Sequence, residues 1–423
     1  MLTPHRPGHR TAAALAVTVA VLLSACAATG GGSSAATTRA TSAPGTGAPS
    51  STRATSPGSP SSTTSAADVV YAHTGPGDIS GAATSAKQLV YVPNTISNTV
   101  QVIDPTTYQV IARYPTGAEP QHVVPSWDKK TLWVNDDHGN DLIPINPRTG
   151  KPGPRVPVED PYNLYFTPDG KHALVMAERL RRIDVRDPHT MRLQRSLPVP
   201  CHGVNHADFS ADESFFVASC EFSGRLLVVD RNATRIMKVI DLNAVKTPGA
   251  TSPAMAHSMG GAKAGLMPGA SSMPQDVRLT PDGTRFIAAD MLRNGIWVID
   301  AKTLKIQRFI HLGTGTHGIY PSRDAKRLYV SNRDVGTISV LDAATLKVVA
   351  TWTIPGGGSP DMGGVSADGT KLWLSGRYNG VVYVFDTRTG KVLRRIPVDA
   401  GPHGLAVWPQ PGRYSLGHTG NMR

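Results

Sequence analysis

Cysteine is scarce in this chain of 423 residues, which contains three cysteines. So few thiols exclude a disulfide-dense scaffold and any zinc or iron–sulfur framework built from several cysteines. The spacing Cys-x-x-Cys-His does not occur, which excludes covalent attachment of a c-type haem. The sequence also contains no Gly-x-Ser-x-Gly elbow, no His-Glu-x-x-His motif and no P-loop, so it carries none of these catalytic signatures.

Charge is sparse as well, at 17% of residues, with a formal net charge of +12. The basic residues do not form clusters interleaved with aromatic residues, so the pattern gives no support for nucleic-acid binding. Hydrophobic residues make up 40% of the chain, which is enough to build a folded domain. The apolar run from Ala12 to Leu23 is too short to span a bilayer comfortably as a permanent helix.

Residues 1–26 have the features of an export signal. Arg6 and Arg10 precede the apolar run, and small residues follow it. The sequence Leu-Ser-Ala-Cys that ends at Cys26 resembles the lipobox of bacterial lipoproteins, in which the cysteine is acylated and becomes the mature N-terminus. The resemblance predicts a protein that is exported and anchored by lipid at Cys26 to the outer face of the cell membrane.

Residues 27–67 consist almost entirely of Ala, Ser, Thr, Gly and Pro. Such a composition cannot bury enough apolar surface to offset the entropy lost on ordering. We therefore expect a disordered tether that carries a folded domain, residues 68–423, away from the membrane.

One unit repeats along residues 86–409. Its parts are an aliphatic strand such as Leu328–Asn332, an alternating strand that ends in Asp, a third strand, a Gly/Pro-rich passage and a fourth strand. Turns of the type Pro281-Asp282-Gly283 recur 41 to 44 residues apart, with one longer interval of 70. A period near 42 with four short strands is typical of propeller blades. The count predicts an all-β, seven-bladed β-propeller with four antiparallel strands per blade.

The first repeat lacks its leading strand, and Gly404–Trp408 matches the missing segment. We expect this C-terminal strand to close the ring by pairing with the first blade, which removes exposed sheet edges.

The strand Leu-Tyr-Val-Ser-Asn, the strands ending in Asp and the turn Ser366–Gly369 resemble the YVTN β-propeller repeat of bacterial and archaeal surface proteins. That repeat is similar to the propellers of haem d1 proteins and of lactonases. The resemblance implies that the strand after the Gly/Pro passage is innermost. It also implies that innermost-strand starts and second-strand ends meet at one mouth of the channel.

Histidines and acids are concentrated at those two sets of positions. Several histidines that face one cavity are candidates for a binding site, since imidazole binds metals and carries protons near neutral pH. The alternative is that each histidine only caps its own turn. The predicted ligand-binding residues are His122, Asp136, His138, Glu178, Asp290, His317 and His403.

A longer insertion, residues 243–274, is predicted to lie over the same mouth as a loop rich in Met and His. Thioether and imidazole ligands favour copper. The alternatives are a lid over another ligand and a passive insertion. The predicted metal ligands are His202, His206, Met255, His257 and Met259.

The remaining cysteines, Cys201 and Cys220, stand at the start of an innermost strand and the end of the next strand. Antiparallel neighbours at these positions come close enough for a disulfide, which an oxidising environment favours. A thiolate metal site is the alternative.

Three functions compete. The first is a surface-anchored propeller, expected to be monomeric, that binds a small-molecule or protein partner at the His-rich mouth without turnover. The second is a metal or redox protein that holds copper or a non-covalent haem. The third is a lactonase-like hydrolase in which Asp136, Glu178 or Asp290 acts as base with a histidine at the mouth.

Overall fold

Short segments enriched in β-branched and aromatic residues, most of them five or six residues long, form the strands of the computed structural model. The structure describes residues 70–246, 266–418 and 420–423. These residues form seven blades in a ring, and in most blades the four antiparallel strands follow chain order from the channel outward. The predicted all-β, seven-bladed propeller is therefore confirmed.

The strands of blades 1 to 3 follow one another in chain order. They are β1 (Leu89–Asn94), β2 (Thr99–Asp104), β3 (Gln109–Pro115), β4 (Pro120–Pro125), β5 (Leu132–Asp136), β6 (Asp141–Asn146), β7 (Lys151–Pro152), β8 (Val156–Pro157), β9 (Asn163–Phe166), β10 (Ala173–Ala177), β11 (Arg182–Arg186) and β12 (Leu193–Pro198). The outer edge of blade 2 is divided, because β7 and β8 both pair with β6.

Blades 4 to 7 have four strands each. They are β13 (Val204–Phe209), β14 (Phe215–Cys220), β15 (Arg225–Asp230), β16 (Ile236–Asp241), β17 (Pro274–Leu279), β18 (Arg285–Asp290), β19 (Gly295–Asp300), β20 (Ile306–His311), β21 (Thr316–Pro321), β22 (Arg327–Asn332), β23 (Thr337–Asp342), β24 (Val348–Thr353), β25 (Pro360–Val365), β26 (Lys371–Gly376), β27 (Val381–Asp386) and β28 (Val392–Pro397). Short 3-10 turns lie at Gly81–Ser85 and Glu221–Ser223.

The ring is closed by β29 (Ala406–Trp408), which pairs antiparallel with β1 as the innermost strand of blade 1. Leu89 pairs with Trp408, and Tyr91 pairs with Ala406. The same sheet therefore contains strands from both ends of the propeller, and the predicted closure is confirmed.

The core lies between neighbouring blades. Strands near the channel are buried along their whole length, whereas the outermost strands alternate between exposed and half-buried residues. Trp297, Trp373 and Trp408 are buried in these interfaces. Cys201 and Cys220 form a disulfide within blade 4, with their Cα atoms 6.0 Å apart, and belong to the apolar cluster between blades 3 and 4.

The repeated turn between the first two strands has the same side-chain lock in six blades. A serine or threonine hydroxyl donates to the carboxylate two residues later, which stabilises the turn without any catalytic role. The pairs are Ser126–Asp128, Thr167–Asp169, Ser210–Asp212, Thr280–Asp282, Ser322–Asp324 and Ser366–Asp368.

The face that carries these turns is covered by segments outside the repeat. Val70 N donates to Pro281 O at 2.9 Å, and Tyr71 Oη donates to Leu279 O at 3.1 Å. From the other end of the propeller, β30 (Ser415–Gly417) and β31 (Asn421–Met422) extend the sheet of blade 3 beside its innermost strand. We call residues 409–418 and 420–423 the channel segment. It pairs with β9 through β30, at a position where the repeat pattern predicts no strand.

The channel segment is held by a buried ion pair. Arg423 Nη2 lies 2.6 Å from Asp208 Oδ1, and Asn421 Nδ2 donates to the same oxygen at 2.9 Å.

In the part of the chain that the structure describes, no helix has the length and apolar character needed to cross a bilayer.

Candidate functional site

The opposite face of the propeller carries a cavity of about 610 Å³. Each blade contributes to its wall the residue that immediately follows the second strand. We call these seven residues the mouth ring. In blade order they are Thr95, Asp137, Glu178, Glu221, Met291, Arg333 and Arg377.

The charges of the mouth ring are divided between its two sides. The acidic residues Asp137, Glu178 and Glu221 belong to blades 2, 3 and 4. The basic residues Arg333 and Arg377 belong to blades 6 and 7, across the ring. Since blade order fixes position around the channel, the cavity has one acidic wall and one basic wall. The acidic wall also contains Arg179, which forms an ion pair with Asp160.

The acidic wall is built around an amide. Asn205 Nδ2 donates to Glu221 Oε2 at 2.7 Å and approaches Glu178 Oε2 at 3.5 Å. Burial raises the pKa of Glu178 well above its usual range, and the neighbouring charge of Glu221 adds to the effect. Burial also raises the pKa of Glu221. Because these two buried carboxyls share one donor, a positively charged group at this wall would stabilise their ionised forms.

The same wall continues into blade 2. Burial and then the nearby Asp160 raise the pKa of Asp137 to about 8. His138 Nδ1 lies 2.6 Å from Glu119 Oε2 and 3.4 Å from Asp137 Oδ2 at the half-exposed rim. The predicted site residue His138 therefore lines the cavity beside acids, rather than beside the other histidines.

The basic wall contains one engaged and one available guanidinium. Both Nε and Nη2 of Arg333 donate to Asp361 Oδ1, at 2.9 and 2.6 Å. Arg377 Nη1 is buried and has no hydrogen-bond partner among the residues described. A buried guanidinium nitrogen without a partner is costly, so Arg377 is the natural contact for an anionic group in the cavity.

The cavity floor is built by residues at the starts of the innermost strands or just before them. In blades 4 to 7 the pairing register shifts between the first and fourth residues of that strand. Such a bulge turns successive side chains toward the channel instead of to opposite faces. An upper tier thus lines the cavity, and a lower tier lies beneath it. The upper tier includes Gln121, Tyr162, Gln275, His317 and His403.

The lower tier is a buried cluster of histidines and polar groups. It contains His122 and His206 from β4 and β13, Asn163 and Asp276 from β9 and β17, and His418 from the channel segment. The ring centroids of His122 and His206 are 5.5 Å apart, and those of His206 and His418 are 4.9 Å apart. His403 of the upper tier joins the cluster, with its ring centroid 4.9 Å from that of His122.

Burial keeps these imidazoles neutral. It lowers the pKa of His122 to about 4 and lowers the pKa values of His206, His317, His403 and His418 well below their usual range. His122 Nδ1 faces Tyr162 O at 2.9 Å, and His403 Nδ1 faces Gln121 O at 3.1 Å. A carbonyl oxygen only accepts, so in both rings Nδ1 carries the proton and Nε2 has the free lone pair.

The structure therefore brings Glu178, His138, His317 and His403 to one cavity, with His122 directly beneath. The expected placement of Asp136 and Asp290 at the cavity is wrong. Both are the last residues of second strands, one position before the mouth ring, and both are fully buried outside the cavity lining. Side chains alternate along a strand, so a shift of one residue reverses the direction in which each points.

The two aspartates have opposite surroundings. Asp290 accepts from five donors among the described residues, namely Ser272 Oγ, the backbone N–H groups of Met273, Leu292 and Arg293, and Trp297 Nε1. Asp136 accepts from Gly117 N at 3.0 Å and lies beside Asp141. Burial first, and then the Asp141 carboxyl, raises the pKa of Asp136 to about 8.

The expected pairing of His202 with His206 in one metal site is also wrong. His206 is buried in the lower tier, whereas half-buried His202 lines a separate cavity of about 420 Å³ with Met267. The cause is local: His202 precedes β13, and its N–H is held by Ser223 Oγ, so the bulge that turns His206 inward does not reach it. Met255, His257 and Met259 lie outside the described residues, as does Cys26.

Sequence reasoning missed His418, Arg333 and Arg377. The two arginines directly follow Asn332 and Gly376, so a shift of one residue past the strand ends would have found them. His418 lies in the channel segment, outside the repeat, and its one sequence signal is a histidine after the closing strand.

A YNCE-like beta-propeller family model matches residues 66–238 and 308–411, more than half of the chain. The chain belongs to this family. It is 30% identical over 134 residues to the uncharacterized protein YncE of Salmonella typhi, which is 31% of this chain and 37% of that protein. The matched region thus spans little more than a third of the relative's length.

Solved structures are similar to this YNCE-like propeller in fold. A functionally unknown protein from Desulfotomaculum acetoxidans has a TM-score of 0.59 and 16% identity, covering 77% of this chain and all 100% of that chain. The dihydro-heme d1 dehydrogenase NirN, in complex with DHE, has a TM-score of 0.54 and 15% identity, covering 75% of this chain and 74% of that chain. At these identities the likeness concerns the fold alone.

Proposed function

We propose that this protein is a binding protein without turnover, which holds a small dipolar ligand in the mouth cavity. The observation that carries the proposal is the division of the mouth ring into an acidic wall and a basic wall. A volume of about 610 Å³ is in the range of small-molecule sites. A ligand with separated positive and negative groups, such as an amino acid, a betaine or a short peptide, matches both walls.

Each wall offers a defined contact. The anionic end of the ligand meets Arg377 Nη1, because Arg333 is already engaged by Asp361. The cationic end lies between Glu178 and Glu221, where a positive charge lowers the cost of ionising two buried carboxyls. Tyr162, Phe222 and Tyr378 line the cavity and provide apolar and cation–π surface for the ligand body.

The protein is further proposed to be exported and anchored by lipid at Cys26. The lipobox-like sequence around Cys26 and the low-complexity segment that follows it support this proposal. Metabolic labelling with an alkyne fatty acid is expected to label the wild-type chain and not Cys26→Ser. A labelled Cys26→Ser chain, or an unlabelled wild type, contradicts the anchor.

Titration calorimetry on the full chain in detergent tests ligand binding. The probes are glycine, glycine betaine and dialanine, with acetate and methylamine as single-charge counterparts. At least one dipolar probe is expected to bind more tightly than both counterparts. Arg377→Gln should weaken it about 10- to 100-fold, since a hydrogen bond to a charged group contributes about 1.5–3 kcal/mol.

Two variants sharpen the result. Glu178→Gln is expected to weaken the dipolar probe and leave acetate unchanged, because it removes charge from the opposite wall alone. Arg388→Gln, an exposed arginine of the same blade at the other face, is the matched control and should bind as wild type. Equal affinity of wild type and Arg377→Gln, or failure of all dipolar probes, overturns the proposal.

A haem-like ligand is the second candidate, favoured by the position of His317. Its Nδ1 lies 3.2 Å from Asp361 Oδ1, and its ring lines the cavity floor. The two atoms do not have hydrogen-bond geometry in this structure, but a carboxylate near Nδ1 can orient an axial histidine. NirN, a fold neighbour, is described in complex with DHE. Haemin added to the full chain should give a sharpened Soret band that His317→Ala abolishes and His202→Ala retains; no band rejects this candidate.

The lactonase-like alternative has less support. Of its three proposed bases, Glu178 lines the cavity, whereas Asp136 and Asp290 are buried outside it. Glu178 is also tied through Asn205 to a second carboxyl.

A further inference from the structure

A second ring of side chains surrounds the mouth cavity, one residue beyond the mouth ring. We call these seven residues the outer ring. In blade order they are Ile96, His138, Arg179, Phe222, Leu292, Asp334 and Tyr378. All except Leu292 and Asp334 line the cavity. A ligand that fills the cavity and continues outward therefore meets the outer ring.

Large apolar side chains stand exposed in the outer ring beside the basic wall. Ile96 of blade 1 is 73% exposed, and Tyr378 of blade 7 is 47% exposed. Their turns are fixed, because Thr95 N donates to Gly401 O at 2.8 Å and Tyr378 N donates to Ser359 Oγ at 2.8 Å. Apolar side chains that a rigid frame holds in water at the edge of a cavity are typical of an interaction site, and tyrosine is common among the residues that dominate binding.

The charges inside the cavity restrict what such a partner can carry. Arg179 and Arg333, two of the three arginines in the lining, are already paired with carboxylates outside it. Arg377 is the third, and its Nη1 has no partner among the described residues. Across the cavity, Glu178 and Glu221 share one amide donor. A matching partner therefore has one negative group and at least one positive group.

Arg377 acts at the inner end of the cavity. Burial first, and then the charge of Arg377, lowers the pKa of His403, which belongs to the upper tier on the floor. The guanidinium group therefore lies near the floor. The histidines of the lower tier beneath it are fully buried, so a polypeptide cannot continue past this point. The group that Arg377 binds is for this reason the end of a chain.

We propose that the partner at the mouth cavity is the C-terminal end of a polypeptide, an inference that rests on the proposed binding of a dipolar ligand. Its terminal carboxylate binds Arg377, since guanidinium groups pair well with carboxylates and capture of a chain end is a recurring mode of recognition. An apolar side chain of the partner packs on Ile96 and Tyr378. A Lys or Arg side chain lies between Glu178 and Glu221. A free amino acid, by contrast, would fill only part of a cavity of about 610 Å³ and leave the outer ring in water.

Titration calorimetry on the full chain in detergent tests this partner with four peptides. The parent is N-acetyl-Gly-Lys-Ala-Leu with a free carboxylate. Its three relatives carry a C-terminal amide, norleucine in place of lysine, or alanine in place of leucine. The parent should bind about 10-fold more tightly than dialanine or glycine betaine, and each change should weaken it about 10-fold, because each removes one of three contacts.

Paired changes identify which group of the peptide meets which wall. Amidation should cost little affinity in Arg377→Gln, and norleucine should cost little in Glu178→Gln, because the partner of the removed group is already absent. Ile96→Ser should weaken the parent about 5-fold and the alanine relative much less. Ile111→Ser is the matched control and should bind the parent as wild type does, since Ile111 is 56% exposed on β3 of the same blade and does not line the cavity.

The outcomes separate this inference from the proposed function. Dipolar probes that bind as tightly as the parent peptide, or equal binding of the parent and its amide, overturn the peptide partner and leave the small ligand in place. Unchanged binding of the parent to Ile96→Ser also overturns it, because the outer ring then makes no contact. Failure of the probes and the peptides alike overturns both proposals.

Discussion

Asp290→Ala is expected to lower the free energy of unfolding by about 4–5 kcal/mol, which is large for one substitution. The carboxylate gathers five donors at the junction of blade 5 and the preceding insertion. Alanine leaves several of these buried N–H groups without an acceptor, including Trp297 Nε1, 2.8 Å from Asp290 Oδ2 in wild type.

Urea unfolding followed by tryptophan fluorescence measures the loss. Asp300→Ala is the matched control: its carboxylate also accepts from neighbouring N–H groups, but at the surface, where water replaces it. We expect a much smaller change in the control. An Asp290→Ala chain as stable as Asp300→Ala would show that Asp290 does not hold the blade junction.

Asp136→Asn is expected to raise the free energy of unfolding, whereas Asp290→Ala lowers it. Asp136 nevertheless occupies the same strand-end position in blade 2. Its pKa of about 8 in the folded chain lies above the value near 4 expected when unfolded. A raised folded pKa contributes stability below the unfolded pKa, and that stability is lost as pH rises toward 8. Asparagine carries no charge, so it avoids the loss and can donate to Asp141.

The variant should match wild type near pH 4 and gain stability steadily as the pH rises to 8. Between pH 5 and pH 8 the gain amounts to about 3–4 kcal/mol. The pKa of Asp128 is instead lowered by hydrogen bonds that include Ser126 Oγ, so Asp128→Asn should show no gain with pH. Denaturant unfolding at pH 4, 6 and 8 distinguishes these profiles, and parallel profiles for wild type and Asp136→Asn would refute the prediction.

The repeat made the architecture easier to predict from the sequence than the site. Blade number, strand order and closure by Gly404–Trp408 follow from a period near 42 and from the missing first strand. These features depend on alternation within strands and on turn residues, both of which are local properties of the sequence.

The site depends on features that are not local. The inward side chain at each second strand is the residue after the strand end, as at Asp137 and Met291, and a period of two cannot locate the last paired residue. The bulge that turns His206 into the channel and leaves His202 outside is a departure from the strand pattern. His418 reaches the cluster through long-range pairing of β30 with β9, which the repeat pattern does not predict.

The mouth ring also bears on how such a propeller can change its specificity. Every member follows a strand end and lines the cavity, so its side chain lies beyond the paired part of the sheet. A change of charge at one of these positions can therefore leave the strand pairing intact, although Arg333 is paired with Asp361 of blade 7 and Glu178 and Glu221 share Asn205. Ligand preference can evolve, or be redesigned, through substitutions at positions 95, 137, 178, 221, 291, 333 and 377 that leave the strand sequences unchanged.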